Sequence, residues 1–200
     1  MTASVSALFV QRGGVYWDRL DVDAWDEERD ARNYAGDLPV VAHPPCSRWC
    51  RLAKFNQHLT GGRLEVGDDK GCFASALFNV RRCGGVLEHP AWSIAWAAHG
   101  LAAPPERGWH LDIDGGWCCE VSQAAYGHRA RKLTWLYYFG RNPPEMMDWS
   151  RPEARGVVSG LRNNCGRPLA DRVWKREASA TKPAFAEVLL GLARNCGGPH

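Results

Sequence analysis

The feature that most constrains this chain is a series of short apolar runs, each cut off by glycine or proline and each followed closely by residues capable of chemistry. Val5 to Val10 runs into Gly13-Gly14; Pro39-Val40-Val41-Ala42 is stopped by His43-Pro44-Pro45 and followed by Cys46; Val86-Leu87 opens onto Glu88-His89-Pro90. Runs of this length between turn formers predict buried strands. Helix-compatible stretches lie between and after them: Asp23 to Tyr34; a helix capped by Asp68 or Asp69 that passes Cys72, Ala76, Leu77 and Val80 and ends at Gly84-Gly85; Trp92 to Leu101; and Pro183 to Arg194, amphipathic, with Pro183 in its first turn and Gly197 beyond its end. Trp117 to Ala124 and Lys132 to Phe139 predict two further strands around a turn at Tyr126-Gly127-His128, and residues 48–67 and 142–160 predict loops. Strands alternating with helices predict an α/β sheet with helices on both faces, in one compact domain over residues 1–200. Functional residues of such sheets sit at the carboxyl ends of strands. Gly13-Gly14, Cys46 and Glu88 therefore share one predicted rim.

Composition narrows the class. Apolar residues make up 45% and charged residues 24% of the chain, as in ordinary globular proteins. No apolar run reaches about 18 residues, so no membrane span is expected, and the first residues lack a basic region followed by an apolar one. A cytoplasmic location follows as the default. The net charge of +3 is compatible with nucleic-acid binding without demanding it. Local clusters say more: Arg48, Arg51 and Lys54; Arg129, Arg131 and Lys132; and Arg162, Arg167, Arg172, Lys175 and Arg176. Each alone reads as a solvated face, but three beside chemistry-bearing segments point to phosphate binding. The eight cysteines include no C-x-x-C pair, so metal sites are not expected, and reduced, mostly buried thiols are.

A cysteine after two prolines sits on a stiff turn that aims its thiol. A thiolate needs positive surroundings, for which Arg48, Arg51 and His43 are at hand. Glu88, partly desolvated at a strand end, is placed to have a raised pKa and act as an acid. Singly, each has a blander reading, a buried thiol and a surface glutamate. Together they suit attack on a pyrimidine: sulfur adds at C6, the carboxyl protonates N3, and C5 becomes nucleophilic toward a one-carbon electrophile.

In this order the residues resemble the DNA cytosine-C5 methyltransferase family in a reduced, phage-type form. Ala7-Leu8-Phe9-Val10-Gln11-Arg12-Gly13-Gly14 resembles the opening D-L-F-x-G-x-G-G that binds S-adenosylmethionine. Asp37 to Cys46 resembles the strand and P-P-C loop of the family nucleophile, and Val86 to Pro90 the E-N-V or E-N-P segment that meets the cytosine edge. Tyr126-Gly127-His128-Arg129-Ala130-Arg131-Lys132-Leu133-Thr134-Trp135-Leu136 resembles the Y-G-x-P-Q-x-R-x-R strand, and Ala178 to Glu187 the closing G-N-S-V-x-P segment and its helix. The resemblance implies a Rossmann-like methyltransferase sheet, S-adenosylmethionine as cofactor, DNA as partner and a bacterial host cytoplasm as location. It implies Cys46, Glu88 and Arg131 as catalytic residues; Phe9, Gly13, Gly14, Asp23, Pro44 and Ser179 around the cofactor; and Arg48, His89, Arg129 and Lys132 toward the substrate.

The chain departs from the family at Ala7 and Gln11 in the opening motif, at Ala178-Ser179, at His89, and at the missing Pro-Gln before the arginines. Only Asp21, Asp23 and Asp26 are placed to hold a ribose hydroxyl. The interval from Tyr138 to Gly160 is too short for a sizeable target-recognition domain, so a protein partner supplying recognition, or low sequence specificity, is expected. A duplex base would have to be flipped out to reach Cys46. Of ten tryptophans, Trp49, Trp92 and Trp135 lie near the candidate site and could stack on it. The eroded cofactor motifs leave two alternatives: the same cysteine chemistry with another cofactor or electrophile, or a non-catalytic DNA-binding or inhibitory protein that keeps the fold.

Overall fold

The computed structural model describes residues 2–50, 53–59, 61, 65–142, 144–158 and 172–198. Arg51, Arg162, Arg167 and Cys165 lie outside them, as do the side chains of Lys54, Arg172 and Lys175. A seven-stranded mixed sheet forms the centre, in the order β2-β1-β3-β4-β7-β6-β5. β1 (Val5–Leu8) pairs in parallel with β2 (Val22–Trp25) on one side and β3 (Val40–Ala42) on the other. β4 (Gly85–Pro90) extends the parallel set, and β7 (Leu133–Phe139) returns antiparallel beside it, followed outward by β6 (Trp117–Ser122) and β5 (His110–Leu111). A separate two-stranded sheet joins β8 (Val157–Val158) to β9 (Arg172–Val173).

The central strands are too short and too apolar for one wet face, and both faces are covered. On one side lies α5 (Pro183–Asn195), whose Phe185, Ala186, Leu189 and Leu190 pack with Ala7, Val41, Val86, Leu136 and Tyr138. On the other lies α2 (Cys72–Cys83), whose Phe73, Ala76, Leu77 and Val80 pack with Leu8, Ala42, Leu87, Trp135 and Tyr137. Alternate residues of each strand thus feed opposite cores, the period-2 rule of a sheet covered on both sides. Gly85 is required where β4 meets β3: its φ is 122°, and a Cβ there would lie 2.0 Å from the Val40 carbonyl oxygen. Among the described residues no helix is long and apolar enough to cross a membrane, and the seven described cysteines are free.

Several expectations are corrected. Residues 23–34 begin as strand, not helix: β2 carries their start, and a 3-10 turn at Ala31–Asn33 their end. Their charge serves an edge strand, with Arg29 paired to Asp23 at 2.7 Å and lying over the Trp25 ring. The expected loop at 48–67 contains a short helix, α1 (Ala53–Leu59), and the one at 142–160 contains β8. The helix expected over 92–101 is confined to α3 (Ile94–Ala98), with Ser93 as its N-cap. Asp69 does serve the start of α2, accepting from Gly71 N and Phe73 N at 2.9 and 2.8 Å, although the N-cap position itself is Gly71. A last short helix, α4 (Lys175–Ser179), precedes α5.

Candidate functional site

Parity in the sheet sorts the site. β4 is longer than its apolar pair suggested and carries Glu88 and His89 within the strand. Glu88 shares the parity of Val86 and faces the α5 side, whereas His89 shares that of Leu87 and faces the α2 side. His89 is accordingly fully buried, edge-on to Phe73 at 5.1 Å and stacked on Trp96 at 6.2 Å. Neither ring nitrogen makes a hydrogen bond of ordinary geometry, and burial lowers its pKa to about 4. This corrects the expectation that His89 contacts substrate; it is a neutral core side chain.

Glu88 sits at the centre of a hydrogen-bonded chain. Its Oε2 lies 3.0 Å from His43 Nδ1, and its Oε1 accepts from Gln123 Nε2 at 3.1 Å. Gln123 Nε2 also donates to Thr134 Oγ1 at 2.9 Å. On the far side of the imidazole, His43 Nε2 lies 3.0 Å from the Tyr16 hydroxyl. Burial pushes the Glu88 carboxyl up, but the His43 hydrogen bond and the Lys132 charge outweigh it and hold the pKa at about 2, below its ordinary 4.5. The expected raised pKa is therefore corrected: Glu88 is a carboxylate at rest.

Cys46 follows β3 by one turn, at the end of the adjacent parallel strand. His43 N still bonds Leu8 O at 3.0 Å, so the chain is extended up to the prolines. Pro44 is buried and Pro45 exposed. The Cys46 carbonyl then accepts from Trp49 N and Cys50 N at 3.0 and 2.9 Å, closing the turn that fixes the half-buried thiol. Burial and the Glu88 charge raise the Cys46 pKa, and Lys132 opposes them. The resting pair is therefore a thiol beside a carboxylate. Lys132, rather than Arg48 or His43, is the cation felt by Cys46, while His43 turns its ring to Glu88.

Lys132 stands immediately before β7, whose Thr134 is paired with Pro90 of β4. Arg131 is exposed, with its carbonyl accepting from Ser122 Oγ. Arg129 pairs with Glu177 at 3.2 Å beside a second cavity of about 560 Å³. Of the three expected bases, Lys132 is the one whose charge lowers the pKa of both Cys46 and Glu88. Arg48 is half-buried nearby in sequence, its carbonyl accepting from Gly67 N.

A cavity of about 1010 Å³ opens at the carboxyl ends of β1, β2 and β3, lined by Phe9, Gln11 and Arg12 after β1, Asp26 after β2, Pro45 after β3, and Cys72 at the start of α2. The strand order reverses here, since β2 and β3 leave β1 on opposite sides. Phe9 lines it as expected; Gly13, Gly14, Asp23, Pro44 and Ser179 do not. Asp23 instead accepts from Trp25 Nε1 and Arg29, both at 2.7 Å. Asp26, one residue past the strand end, is the acid at the cavity, buried and held by Arg29 N at 3.0 Å and Arg12 Nε at 3.2 Å. Ser179 is exposed at the end of α4.

Among the described residues, five non-glycine residues have positive φ: Phe9, Asp30, Lys70, Trp92 and Lys132. Each such backbone costs on the order of 1–3 kcal/mol, and strain of this kind gathers at functional sites. Three of the five line the cavity, and Trp92 and Lys132 flank the β4–β7 end. Trp92 remains half-exposed, while Trp49 and Trp135 are buried with their indole N–H groups on Asp69 and Glu120. Tyr16, Gln123 and Thr134 are the residues sequence reasoning missed as site members. No family model, curated protein or solved structure matches this chain.

Proposed function

We propose that this protein is a DNA pyrimidine-modifying enzyme that works as cytosine-C5 methyltransferases do, on a Rossmann-like sheet. The observation that carries the reading is the convergence of Cys46 and Glu88 on the ends of adjacent parallel strands, beside a cavity at the point where strand order reverses. Such switch points are where open α/β sheets bind ligands.

The protonation states dictate the first step. The Cys46 thiol gives its proton to the Glu88 carboxylate as sulfur bonds to C6 of an extruded cytosine. The C5=C6 π electrons move into the ring, and Glu88 passes the same proton to N3. One S–H bond breaks, one S–C6 bond and one N3–H bond form, and Glu88 ends as it began. Lys132 offsets the charge that develops on sulfur and ring. The half-exposed Trp92 offers a stacking face to a base beside this end of the sheet.

S-adenosylmethionine, when bound, supplies the one-carbon electrophile. The cavity has room for it, with Phe9 and Asp26 to hold its adenosine half. Arg12 and Arg32 also line that cavity but are paired there to Asp26, Glu28 and Asp30, so the lining selects no cofactor charge, and a second reading keeps the same Cys46–Glu88 chemistry with another cofactor or electrophile.

The decisive experiment is covalent trapping on an oligonucleotide containing 5-fluoro-2′-deoxycytidine, with S-adenosylmethionine present, read by denaturing electrophoresis and intact mass. A Cys46-dependent adduct is expected, and its absence in the folded wild type overturns the cysteine reading. Calorimetry with S-adenosylmethionine separates the two readings: no binding at millimolar ligand removes the methyl donor and leaves another cofactor or electrophile.

A further inference from the structure

Tyr16 belongs to no motif, yet it is almost fully buried within hydrogen-bonding distance of the residue that holds Glu88. It comes from residues 9–21, which join β1 to β2 through turns. Val15 and Tyr16 pack into the core on the α5 side, and the phenol meets the imidazole with ring centroids 5.4 Å apart. His43 is placed by β3 and by its own N–H on Leu8 O. Its two nitrogens therefore have two different fixed partners, Tyr16 Oη at Nε2 and Glu88 Oε2 at Nδ1.

For a neutral imidazole, this order of partners admits one arrangement of protons in which every contact is a hydrogen bond. The carboxylate can only accept, so Nδ1 carries the hydrogen. Nε2 then accepts from the phenol, which burial and the Glu88 charge keep protonated by raising its pKa well above 10.0. Without the phenol, the carboxylate still holds the hydrogen on Nδ1, but Nε2 loses its fixed partner and the ring loses its second anchor.

We propose that Tyr16 and His43 are positioning residues of the base-modifying reaction: the carboxylate sets the tautomer of His43, Tyr16 holds the imidazole in place through Nε2, and His43 fixes Glu88 as an oriented carboxylate, ready to carry the thiol proton to N3. This rests on the function proposed above. His43 stands directly before the proline pair and reaches Glu88 from the neighbouring strand, so one side chain ties the nucleophile's loop to the proton carrier's strand. The remaining groups facing the chain are Lys132 ahead of β7, Gln123 and Thr134 toward Glu88, and Arg19 and Glu187 toward Tyr16. None of these offers a hydrogen bond to His43 Nε2 in place of the phenol.

The test uses the full chain and five variants: Tyr16→Phe, His43→Leu, His43→Asn, Cys46→Ser as the trapping control, and Glu88→Gln for assignment. The first readout needs no substrate: the Glu88 carboxyl carbon is followed by NMR as a function of pH, assigned through Glu88→Gln. His43→Leu is expected to move that titration up from about 2 toward or above the ordinary 4.5. His43→Asn keeps a donor near the Nδ1 position and should recover part of the depression, and Tyr16→Phe, the variant least disruptive to packing, should raise it less than His43→Leu. The second readout is the rate of covalent trapping on 5-fluoro-2′-deoxycytidine DNA against pH. His43→Leu should lower it by about 100-fold, the usual scale for losing a placed acid–base partner, with Asn between Leu and wild type.

The outcomes separate. If wild type traps DNA but neither the Glu88 titration nor the trapping profile moves in His43→Leu and Tyr16→Phe, the positioning role is overturned and the proposed function stands. If the titration moves as expected but folded wild type traps no DNA, the proposed function fails and takes the catalytic role of the dyad with it.

Discussion

Replacing Glu88 by glutamine removes the one buried carboxylate on which the site is organised, and the structure gives the size of the effect. Glu88 is 8% exposed, and its carboxyl is held at about 2 in the folded chain against 4.5 ordinarily. A depression of this size is worth on the order of 3 kcal/mol of folding stability when both states are ionised. Because the folded pKa is the lower one, that stability is present above pH 4.5 and is lost as pH falls toward 2. About 1 kcal/mol should be gone by pH 3.5, and nearly the whole by pH 2. Glutamine does not titrate, so the stability gap between wild type and Glu88→Gln should shrink along that curve as the solution is acidified. At neutral pH the variant should be the weaker protein, since its amide N–H₂ must face either His43 Nδ1 or Gln123 Nε2, both donors. Urea unfolding followed by tryptophan fluorescence from pH 7 to about pH 3.5 measures the gap directly. A gap that stays constant over that range means Glu88 is not an ionised, paired carboxylate, and the proton-carrier assignment fails with it.

Other substitutions probe the frame around this site. Gly85→Ala drives a methyl group against the Val40 carbonyl at the β3–β4 junction and should cost more than about 3 kcal/mol in denaturant unfolding. Asp69→Ala strips acceptors from Trp49 Nε1, Gly71 N and Phe73 N and should cost about 2–3 kcal/mol, with a red shift in tryptophan emission as Trp49 loses its partner. Lys132→Met removes the cation that restrains the Cys46 pKa, so iodoacetamide should alkylate Cys46 several-fold more slowly at pH 8 while a buried thiol such as Cys119 stays unreactive.

Much of this was legible in the chain. The runs Val5–Leu8, Val40–Ala42 and Val86–Leu87 name three adjacent strands, because residues buried on both faces leave no polar alternation to confuse the pattern. The same argument sets Cys46 just past a strand end, whereas Glu88, expected at one too, lies within β4, one step beyond its pairing with β3. What failed was parity and charge. His89 is adjacent to Glu88 in sequence, but one step along a strand turns a side chain to the opposite core, and only the sheet's pairing says which side holds the cavity. Asp23 and Asp26 were equivalent in sequence, and the end of β2 decides between them. The ionisation of Glu88 depends on His43 and Lys132 arriving from other strands, a long-range fact that burial alone predicts with the wrong sign. Tyr16 carried no signal, because it lies in a turn-rich connection with no periodicity.

That connection is where the two halves of the site meet. Residues 9–21 supply Phe9, Gln11 and Arg12 to the cavity and, four residues after Arg12, Tyr16 to the His43–Glu88 chain. Phe9 is held at positive φ as the chain leaves β1, and Arg12 is anchored to Asp26 and Glu28 after β2. The connection is therefore braced at the cavity end by ion pairs and at the other by a buried phenol, with Gly14 N on Gln11 O and Trp17 N on Gly14 O tightening the turns between. A side chain lost from the cavity end, such as Arg12, acts on a short, constrained segment whose next buried anchor is the hydroxyl that holds the His43 ring. For that reason the titration of Glu88, and not the cavity's ligand affinity alone, is the measurement that shows whether the cofactor half and the cysteine half work as one site.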